Sequence, residues 1–192
     1  MELKLDLHVH TSSSYDSSTD MNEAMAYTRK IGLDGVAITD HDVPYRGKSD
    51  WKGLIVVPGI EISTKRGHLL ALGIDEPIRR GLSVEETIEA VKNLGGITIL
   101  AHPFRFIHGI KPSRNEIFDV DGIEVRNGKE PARSRRKADM LAQRWGRAKT
   151  GGSDAHRPDE IGSAYTIIEV SNPGLGEILE AIRHGRTRVF PI

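Results

Sequence analysis

The sequence of 192 residues contains no cysteine. This absence excludes disulfide bonds and thiolate metal sites, so any metal ion must be held by histidine, aspartate or glutamate. The chain does contain eight histidines. A metal site built from nitrogen and oxygen ligands is therefore the kind of site to search for.

Net charge is also absent, because 27 Lys and Arg side chains are balanced by 27 Asp and Glu side chains. A neutral chain has no global attraction for nucleic acid, which leaves only a local basic patch for such a role. No apolar run is long enough to span a membrane, and we expect no signal peptide because the sequence opens directly into a strand. We expect a cytoplasmic protein without a membrane partner, folded as one domain over residues 1–192. The oligomeric state is left open.

The first strand carries two histidines on one face. In residues 3–10, four apolar side chains alternate with Asp6, His8 and His10, so both imidazoles point the same way near the end of the strand. A run of Ser, Thr and Asp begins at Thr11 and ends the strand. Two ligands of one metal ion would have this spacing, but a lone His-x-His is weak support for a metal site.

Other apolar strands also lead into possible ligands. The strand at 35–39 leads into His41, and the strand at 97–101 leads into His102. The strand at 148–150 leads into Asp154 and His156. The strands are separated by helical patterns at 19–31, 82–94 and 131–145. This alternation predicts an α/β protein whose site lies at the carboxyl ends of parallel strands.

Two further candidates fit this pattern less directly. Glu61 alternates with two isoleucines, and a carboxylate in such apolar surroundings needs a cation or hydrogen bonds. His68 lies at the start of the expected strand 67–74 rather than at its end, so it reaches the site only if a loop turns back. His108 and His184 are interpreted as structural.

Six motifs in this order resemble the polymerase-and-histidinol-phosphatase (PHP) family. They are His8-x-His10-Thr11 with Asp16, Thr39-Asp40-His41, Gly59-x-Glu61, Gly67-His68, Ala101-His102-Pro103 and Ser153-Asp154-x-His156. His-x-His alone is a weak signal, whereas the six motifs together are highly specific and span residues 6–156.

The resemblance implies a distorted (β/α)7 TIM-like barrel that binds two or three divalent metal ions (Zn, Mn or Fe) at the C-terminal ends of its strands. The first ion would be held by His8, His10, Glu61 and Asp154. Glu61 would bridge to a second ion on His68 and His102, and a third would bind Asp16, His41 and His156. Some family members have histidine at the position of Asp16, and a carboxylate there favours a harder ion such as Mn²⁺ or Fe²⁺.

The function implied is a metal-dependent phosphoesterase that hydrolyses a small phosphorylated substrate, either a nucleotide or a metabolite phosphomonoester, through a metal-activated hydroxide. Glu61 and Asp154 would be the catalytic residues. Arg105, Arg126 and Arg157 each follow a ligand strand and are candidates to bind the substrate phosphate. Asp40 and Asp42 are candidates to orient ligands or assist proton transfer.

Three alternatives stay open. The first is a phosphodiesterase of the 3′–5′ exonuclease kind, which neutrality and the short chain disfavour. The second is a non-enzymatic RNA-binding barrel similar to a ribonuclease P protein subunit, which would have lost ligands and gained a basic face. The third is a metal-dependent deaminase or amidase, which does not need the set Asp16, His41 and His156. Loops 43–53 and 104–119 carry no code that identifies a substrate.

Overall fold

In the computed structural model, which describes residues 1–191, one mixed sheet is surrounded by helices. Its strands are β1 (Glu2–Val9), β2 (Gly35–Ile38), β3 (Asp50–Trp51), β4 (Leu54–Ser63), β5 (His68–Leu72), β6 (Ile97–Leu100), β7 (Gly122–Asn127), β8 (Ala148–Gly152), β9 (Tyr165–Glu169) and β10 (Thr187–Phe190). The helices are α1 (Met21–Lys30), α2 (Val84–Asn93), α3 (Ala132–Trp145) and α4 (Leu175–Arg183).

The sheet curls into a nearly closed barrel. Its strand order is β10-β9-β1-β2-β4-β5-β6-β7-β8, with β3 paired to β4. The chain just after β8 returns to β1, where the amide of Asp154 donates to the carbonyl of His8 at 2.8 Å. Gly152 permits this approach, because a Cβ there would lie 2.4 Å from the Cβ of His8. The seven strands β1, β2 and β4–β8 confirm the predicted distorted barrel.

Strand β5 departs from an all-parallel barrel, because it runs antiparallel to both β4 and β6. A tight turn closed by Thr64 and Gly67 joins it to β4. The start of a reversed strand lies at the edge where the parallel strands end. His68 therefore reaches this edge as the first residue of β5, and no returning loop is needed.

Two of the helices begin at residues whose side chains cap them. Ser83 caps α2 and forms a capping box with Glu86, and Asp20 caps α1. Inside the barrel, Leu5, Leu7 and Ile99 belong to a buried core that extends to α4. The barrel interior is thus filled by apolar side chains below the edge that carries the polar residues.

Strands β9 and β10 extend the sheet beyond the barrel. Strand β9 pairs antiparallel with β1, and β10 pairs antiparallel with β9. The sequence pattern predicts β9 but not β10 or the short β3. Within residues 1–191, the structure contains no helix with the length and apolarity needed to cross a membrane.

Candidate metal centre

The edge formed by the carboxyl ends of the parallel strands and the start of β5 gathers the predicted ligands. All nine candidates come together there: His8, His10, Asp16, His41, Glu61, His68, His102, Asp154 and His156. They lie on β1, β4 and β5 and in the segments that follow β1, β2, β6 and β8.

Four of these residues form a fully buried group. The Nε2 atoms of His8 and His10 each lie 3.4 Å from Oε2 of Glu61, and they lie 3.7 and 3.3 Å from Oδ1 of Asp154. Within residues 1–191, His8 Nε2, His10 Nε2 and Glu61 Oε2 have no hydrogen-bond partner. Buried polar atoms without partners are costly. Their convergence fits a divalent cation, which would accept their lone pairs.

Glu61 lies at the centre of the cluster and uses both oxygens. Its Oε1 is 2.9 Å from Nδ1 of His68 and 2.9 Å from Nε2 of His102. Its Oε2 faces His8 and His10 and also lies 3.0 Å from Nδ1 of His41. A carboxylate that faces ligands on both sides has the geometry of a bridge between two ions.

The third group lies closer to solvent. Oδ2 of Asp16 is 3.4 Å from Nε2 of His41 and 3.1 Å from Nε2 of His156. The side chain of Asp16 is about one third exposed. This group is adjacent to the buried ones, because the ligand atoms of His10, His41 and His156 all lie within 4.8 Å of one another.

A buried carboxylate that was not a candidate from the sequence orients one of the histidines. Oε1 of Glu124 on β7 accepts from Nδ1 of His8 at 2.9 Å, while its Oε2 accepts from the amide of His102 at 2.7 Å. This contact turns Nε2 of His8 toward Glu61, as carboxylates behind metal-binding histidines do. Glu124 alternates with Ile123 and Val125, which is the signal that singled out Glu61.

His10 is held by a second polar chain. Its Nδ1 lies 3.0 Å from Oγ of Ser14, and this hydroxyl donates to Oδ1 of Asp40 at 3.0 Å. Asp40 also accepts from the amide and the hydroxyl of Thr11. Asp40 therefore orients His10, whereas Asp42 accepts from the amide of Ser63 and stays outside the cluster.

The charges of the buried group are strongly coupled. Burial lowers the pKa of His8, but the negative charges of Asp154, Glu61 and Glu124 raise it well above its usual value. Burial raises the pKa of Glu61, but the charge of His8 and hydrogen bonds from His102 and His68 hold it well below its usual range. Glu61 thus stays ionised, and a proton on His8 or a metal cation would balance its negative charge.

Backbone strain occurs at two candidate ligands. His102 has φ of 25° and Asp154 has φ of 57°, which is the left-handed region that L residues rarely adopt. Such strain persists only where the surrounding structure holds it, and it concentrates at functional sites. Here the hydrogen bonds from the amides of both residues, to Glu124 and to the carbonyl of His8, hold these conformations.

Only one of the three candidate arginines reaches the cluster. Nη2 of Arg105 donates to Oδ2 of Asp154 at 2.5 Å and to Oδ1 of Asn127 at 2.9 Å. Arg157 is largely exposed and pairs with Asp159.

Arg126 points to the outside of the barrel. It donates to Oδ2 of Asp139 at 2.5 Å and to the carbonyl of Pro191 at 2.9 Å. A register shift in β7 between Glu124 and Arg126 breaks the alternation, so that Glu124 and Asn127 face the site instead. This placement corrects the expectation for Arg126 and removes it from the substrate-binding candidates.

The two histidines interpreted as structural differ in position. The ring of His108 stacks on His68 with centroids 4.6 Å apart, and its carbonyl accepts from the amide of His68 at 2.9 Å. His108 therefore contacts a candidate ligand through both its ring and its backbone. His184 lies at the end of α4, where its Nε2 is 3.3 Å from Oε2 of Glu180.

A barrel that carries a carboxylate-bridged histidine cluster at one edge is the architecture of a metal-dependent hydrolase. Comparison with family models specifies the class further: residues 6–130 match the PHP domain, and residues 132–187 match the PHP-associated region. The chain belongs to the PHP family of metal-dependent phosphoesterases.

Sequence and structure comparisons agree with this assignment. The chain is 37% identical over 140 residues to the uncharacterized protein MJ1587 of Methanocaldococcus jannaschii, which covers 65% of this chain and 82% of that protein. Its fold matches a two-domain protein from Bacteroides vulgatus that contains a predicted PHP-like metal-dependent phosphoesterase, with TM-score 0.78 and 20% identity. It also matches the lesion-specific endonuclease Q of Pyrococcus furiosus, with TM-score 0.76 and 19% identity.

The two solved structures are longer than this chain. The matches cover 99% and 98% of this chain but 65% and 58% of those proteins. At these identities the likeness shows the fold alone.

Proposed function

We propose that this protein hydrolyses a phosphomonoester of a small molecule, a nucleotide or a metabolite, with two or three divalent ions bound by the nine clustered residues. The observation that carries this proposal is the convergence of buried, unpartnered nitrogen and oxygen atoms on Glu61. Nitrogen and carboxylate ligands without thiolate suit Zn²⁺, Mn²⁺ or Fe²⁺.

Bound ions of this kind lower the pKa of water and neutralise charge on a phosphate. The chain itself supplies the geometry. Glu61 and Asp154 are the two carboxylate ligands of the buried group, and Glu124 and Asp40 orient His8 and His10. Arg105 is about one quarter exposed and lies at the mouth of the cluster, where its guanidinium can donate to non-bridging phosphate oxygens.

A phosphodiesterase of the 3′–5′ exonuclease kind is the second candidate. The basic surface of α3 beside the cluster favours it, since five of its fourteen residues are Arg or Lys. A non-enzymatic RNA-binding barrel is ranked lower, because that alternative expects lost ligands and all nine lie together here.

The direct test is metal analysis followed by a substrate panel. Protein prepared without chelators should carry at least two transition-metal ions per chain. It should release phosphate from nucleotides or sugar phosphates only while the metal is present. A preparation that binds no ion after exposure to Zn²⁺, Mn²⁺ and Fe²⁺ would contradict the proposed site.

Glu61→Gln tests the bridge. Removing the charge weakens two ion sites at once, so kcat/KM should fall more than about 100-fold and the metal-to-protein ratio should drop. Glu116→Gln is the matched control, because Glu116 pairs with Arg66 away from the cluster. Retained metal and near wild-type turnover in Glu61→Gln would mean that Glu61 does not bridge.

A further inference from the structure

We propose that two copies of this chain associate as a twofold-symmetric dimer through one outer face of the barrel. This surface, the two-helix face, consists of α2, residues 112–119 and α3. It is acidic on α2, basic on α3 and apolar between them, so that each half complements the other. The inference concerns the side of the barrel rather than the edge that carries the candidate ligands, and it goes beyond the proposed function.

The two helices of this face lie side by side and run in the same direction. Strands β6, β7 and β8 are parallel, and short turns join α2 to β6 and α3 to β8, so both helices run opposite to these strands. Residues 112–119 lie between the helices, because Asp119 pairs with Lys92 of α2 and with Arg147, which follows α3. All three parts contribute to one buried hydrophobic cluster. The two-helix face is therefore continuous.

The charges on the two helices are opposite and are not paired within the chain. Glu85 and Glu89 are exposed on α2, and Lys137 and Arg144 are exposed on α3. In the described part of the chain, residues 1–191, none of these four side chains forms an ion pair. A second copy supplies the missing charge to each half, because its α2 is acidic and its α3 is basic.

Apolar side chains are exposed between these charges. The exposed fraction is 67% for Ile117 and 64% for Met140. Ile117 lies in the lining of a cleft of about 370 Å³ beside the carboxylates of α2. Met140 lies in the lining of a cleft of about 250 Å³ beside the cations of α3. An apolar centre with charged residues around it is the composition of a protein–protein interface.

The charge pattern selects the symmetry axis of the dimer. Both copies use the same face in a twofold dimer, so the face must complement itself. An axis parallel to the helices places α2 of one copy opposite α3 of the other, which brings unlike charges together. An axis across the helices would place α2 opposite α2 and α3 opposite α3, and like charges would repel. The first arrangement is therefore the favourable one.

The positions of the charges along the helices agree with this axis. Lys92 and Arg147 both pair with Asp119, so they mark a common level on the two helices. At the usual helical rise, Glu89 lies about 4.5 Å from this level on α2, and Arg144 lies about 4.5 Å from it on α3. Rotation about an axis parallel to the helices keeps each level unchanged. Glu89 of one copy therefore faces Arg144 of the other.

A second pair lies further toward the start of both helices. Glu85 is about 10 Å from the same level, and Lys137 is about 15 Å from it, so the two differ by about one helical turn. Long side chains can bridge this difference. Twofold symmetry repeats each pair, so four ion pairs surround the exposed Ile117 and Met140 in the dimer.

The experiment measures molecular mass in solution and uses charge reversal. Sedimentation equilibrium of the wild type at about 50 µM protein and about 50 mM salt should give twice the 21.2 kDa mass of one chain. Glu89→Arg and Arg144→Glu each place like charges opposite one another. Each variant alone should raise the dimer Kd at least about tenfold. Circular dichroism checks that each variant is folded.

An equimolar mixture of Glu89→Arg and Arg144→Glu is the decisive sample. In a mixed dimer, positions 89 and 144 are both basic in one copy and both acidic in the other, so both symmetry-related pairs are restored. The mixture should therefore associate with a Kd within about threefold of the wild-type value. Glu23→Arg is the matched control, because Glu23 is an exposed acid on α1, which packs against another part of the sheet. This control should keep the wild-type mass.

Four results would overturn the inference. They are a monomeric wild type at about 50 µM, wild-type association of either reversed variant alone, a mixture no more dimeric than its components, and an equal loss of association in Glu23→Arg. The measurement reads neither metal content nor hydrolysis. Its outcome is thus independent of whether the protein is a phosphomonoesterase.

Discussion

At the scale of single residues, Arg105 is the one candidate arginine that contacts the cluster, and we propose that it binds the substrate phosphate. Arg105→Ala should lower kcat/KM for phosphomonoesters about tenfold to 100-fold, since a charge-assisted hydrogen bond contributes roughly 1.5–3 kcal/mol. Arg126→Ala is the control, because Arg126 binds Asp139 outside the barrel. Metal content is measured in parallel. Equal kcat/KM for both variants would show that Arg105 does not bind the substrate phosphate.

Glu130 is a buried carboxylate whose two oxygens have no hydrogen-bond partner within residues 1–191. Burial raises its pKa from the usual value of 4.5 to about 7, with a further contribution from the negative charge of Glu124. The folded state therefore holds the proton more tightly than the unfolded chain does. The free energy of unfolding should fall as pH rises from about 4.5 to 7, and it should level off above pH 7.

Glu130→Gln removes this titration. The variant should gain about 1–3 kcal/mol relative to wild type between pH 5 and pH 8, as followed by urea denaturation at matched metal content. A difference between the two proteins that does not change with pH would show that Glu130 is ionised in the folded protein at neutral pH.

The sequence predicted that these nine residues lie together, because each belongs to a motif that resembles one of the PHP family and the motifs follow the family's order. It did not predict Glu124, although its apolar neighbours gave the same signal as those of Glu61, because no motif contains it. The error for Arg126 has a different cause. A register shift in β7 reverses the side-chain alternation, and sequence alternation alone cannot locate such a shift.

At the scale of elements, one buried carboxylate on β1 accepts hydrogen bonds from the segments that close the barrel. Oδ1 of Asp6 accepts from the amides of Ser153 and His8 at 2.8 and 3.2 Å, and Oδ2 accepts from the amide of Gly162 at 2.8 Å. Burial raises the pKa of Asp6 to about 6, despite these hydrogen bonds, which lower it. Asp6 thus joins β1 to the segments that follow β8, and it takes no part in the metal centre.

Asp6→Asn should lower the free energy of unfolding by about 1–3 kcal/mol at pH 8, because the amide group presents donors to backbone N–H groups. Asp34→Asn is the control, since Asp34 accepts from the amide of Lys4 at an exposed position. Chemical denaturation of both variants makes the comparison. A loss in Asp6→Asn no larger than that in the control would show that closure does not depend on Asp6.

The sequence predicted the positions of these elements, but it did not predict that one strand runs in the opposite direction. Apolar runs located β2 and β6, and the helical pattern at 82–94 located α2. The direction of β5 was not predicted, because the pattern of a buried strand is the same whether it runs parallel or antiparallel. β10 was missed because it is an edge strand of only four residues, none of which is buried.

At the scale of the whole molecule, we propose that residues 6–130 and 132–187 fold as one domain, although they match two family models. Strand β8 pairs with β7, and β9 pairs with β1, so the second segment completes the sheet of the first on both sides.

The two tryptophans test this proposal, because Trp51 lies in the first segment and Trp145 in the second. Variants Trp51→Phe and Trp145→Phe each keep one reporter. The thermal transition followed by fluorescence should agree within about 2 °C with that followed by circular dichroism in the same variant. Transitions separated by more than about 5 °C would indicate two folding units.

The reversed direction of β5 also reduces the number of residues that the barrel needs to bring its candidate ligands to one edge. In a parallel barrel, each new ligand at the working edge requires a strand–helix–strand unit of about 30 residues, and complete eight-stranded barrels commonly need about 250 residues. The β4–β5 hairpin instead returns to the same edge at once, so Glu61 and His68 are seven positions apart. A single hairpin thus supplies two contacts of the central cluster, and fewer than 200 residues can surround nine candidate ligands.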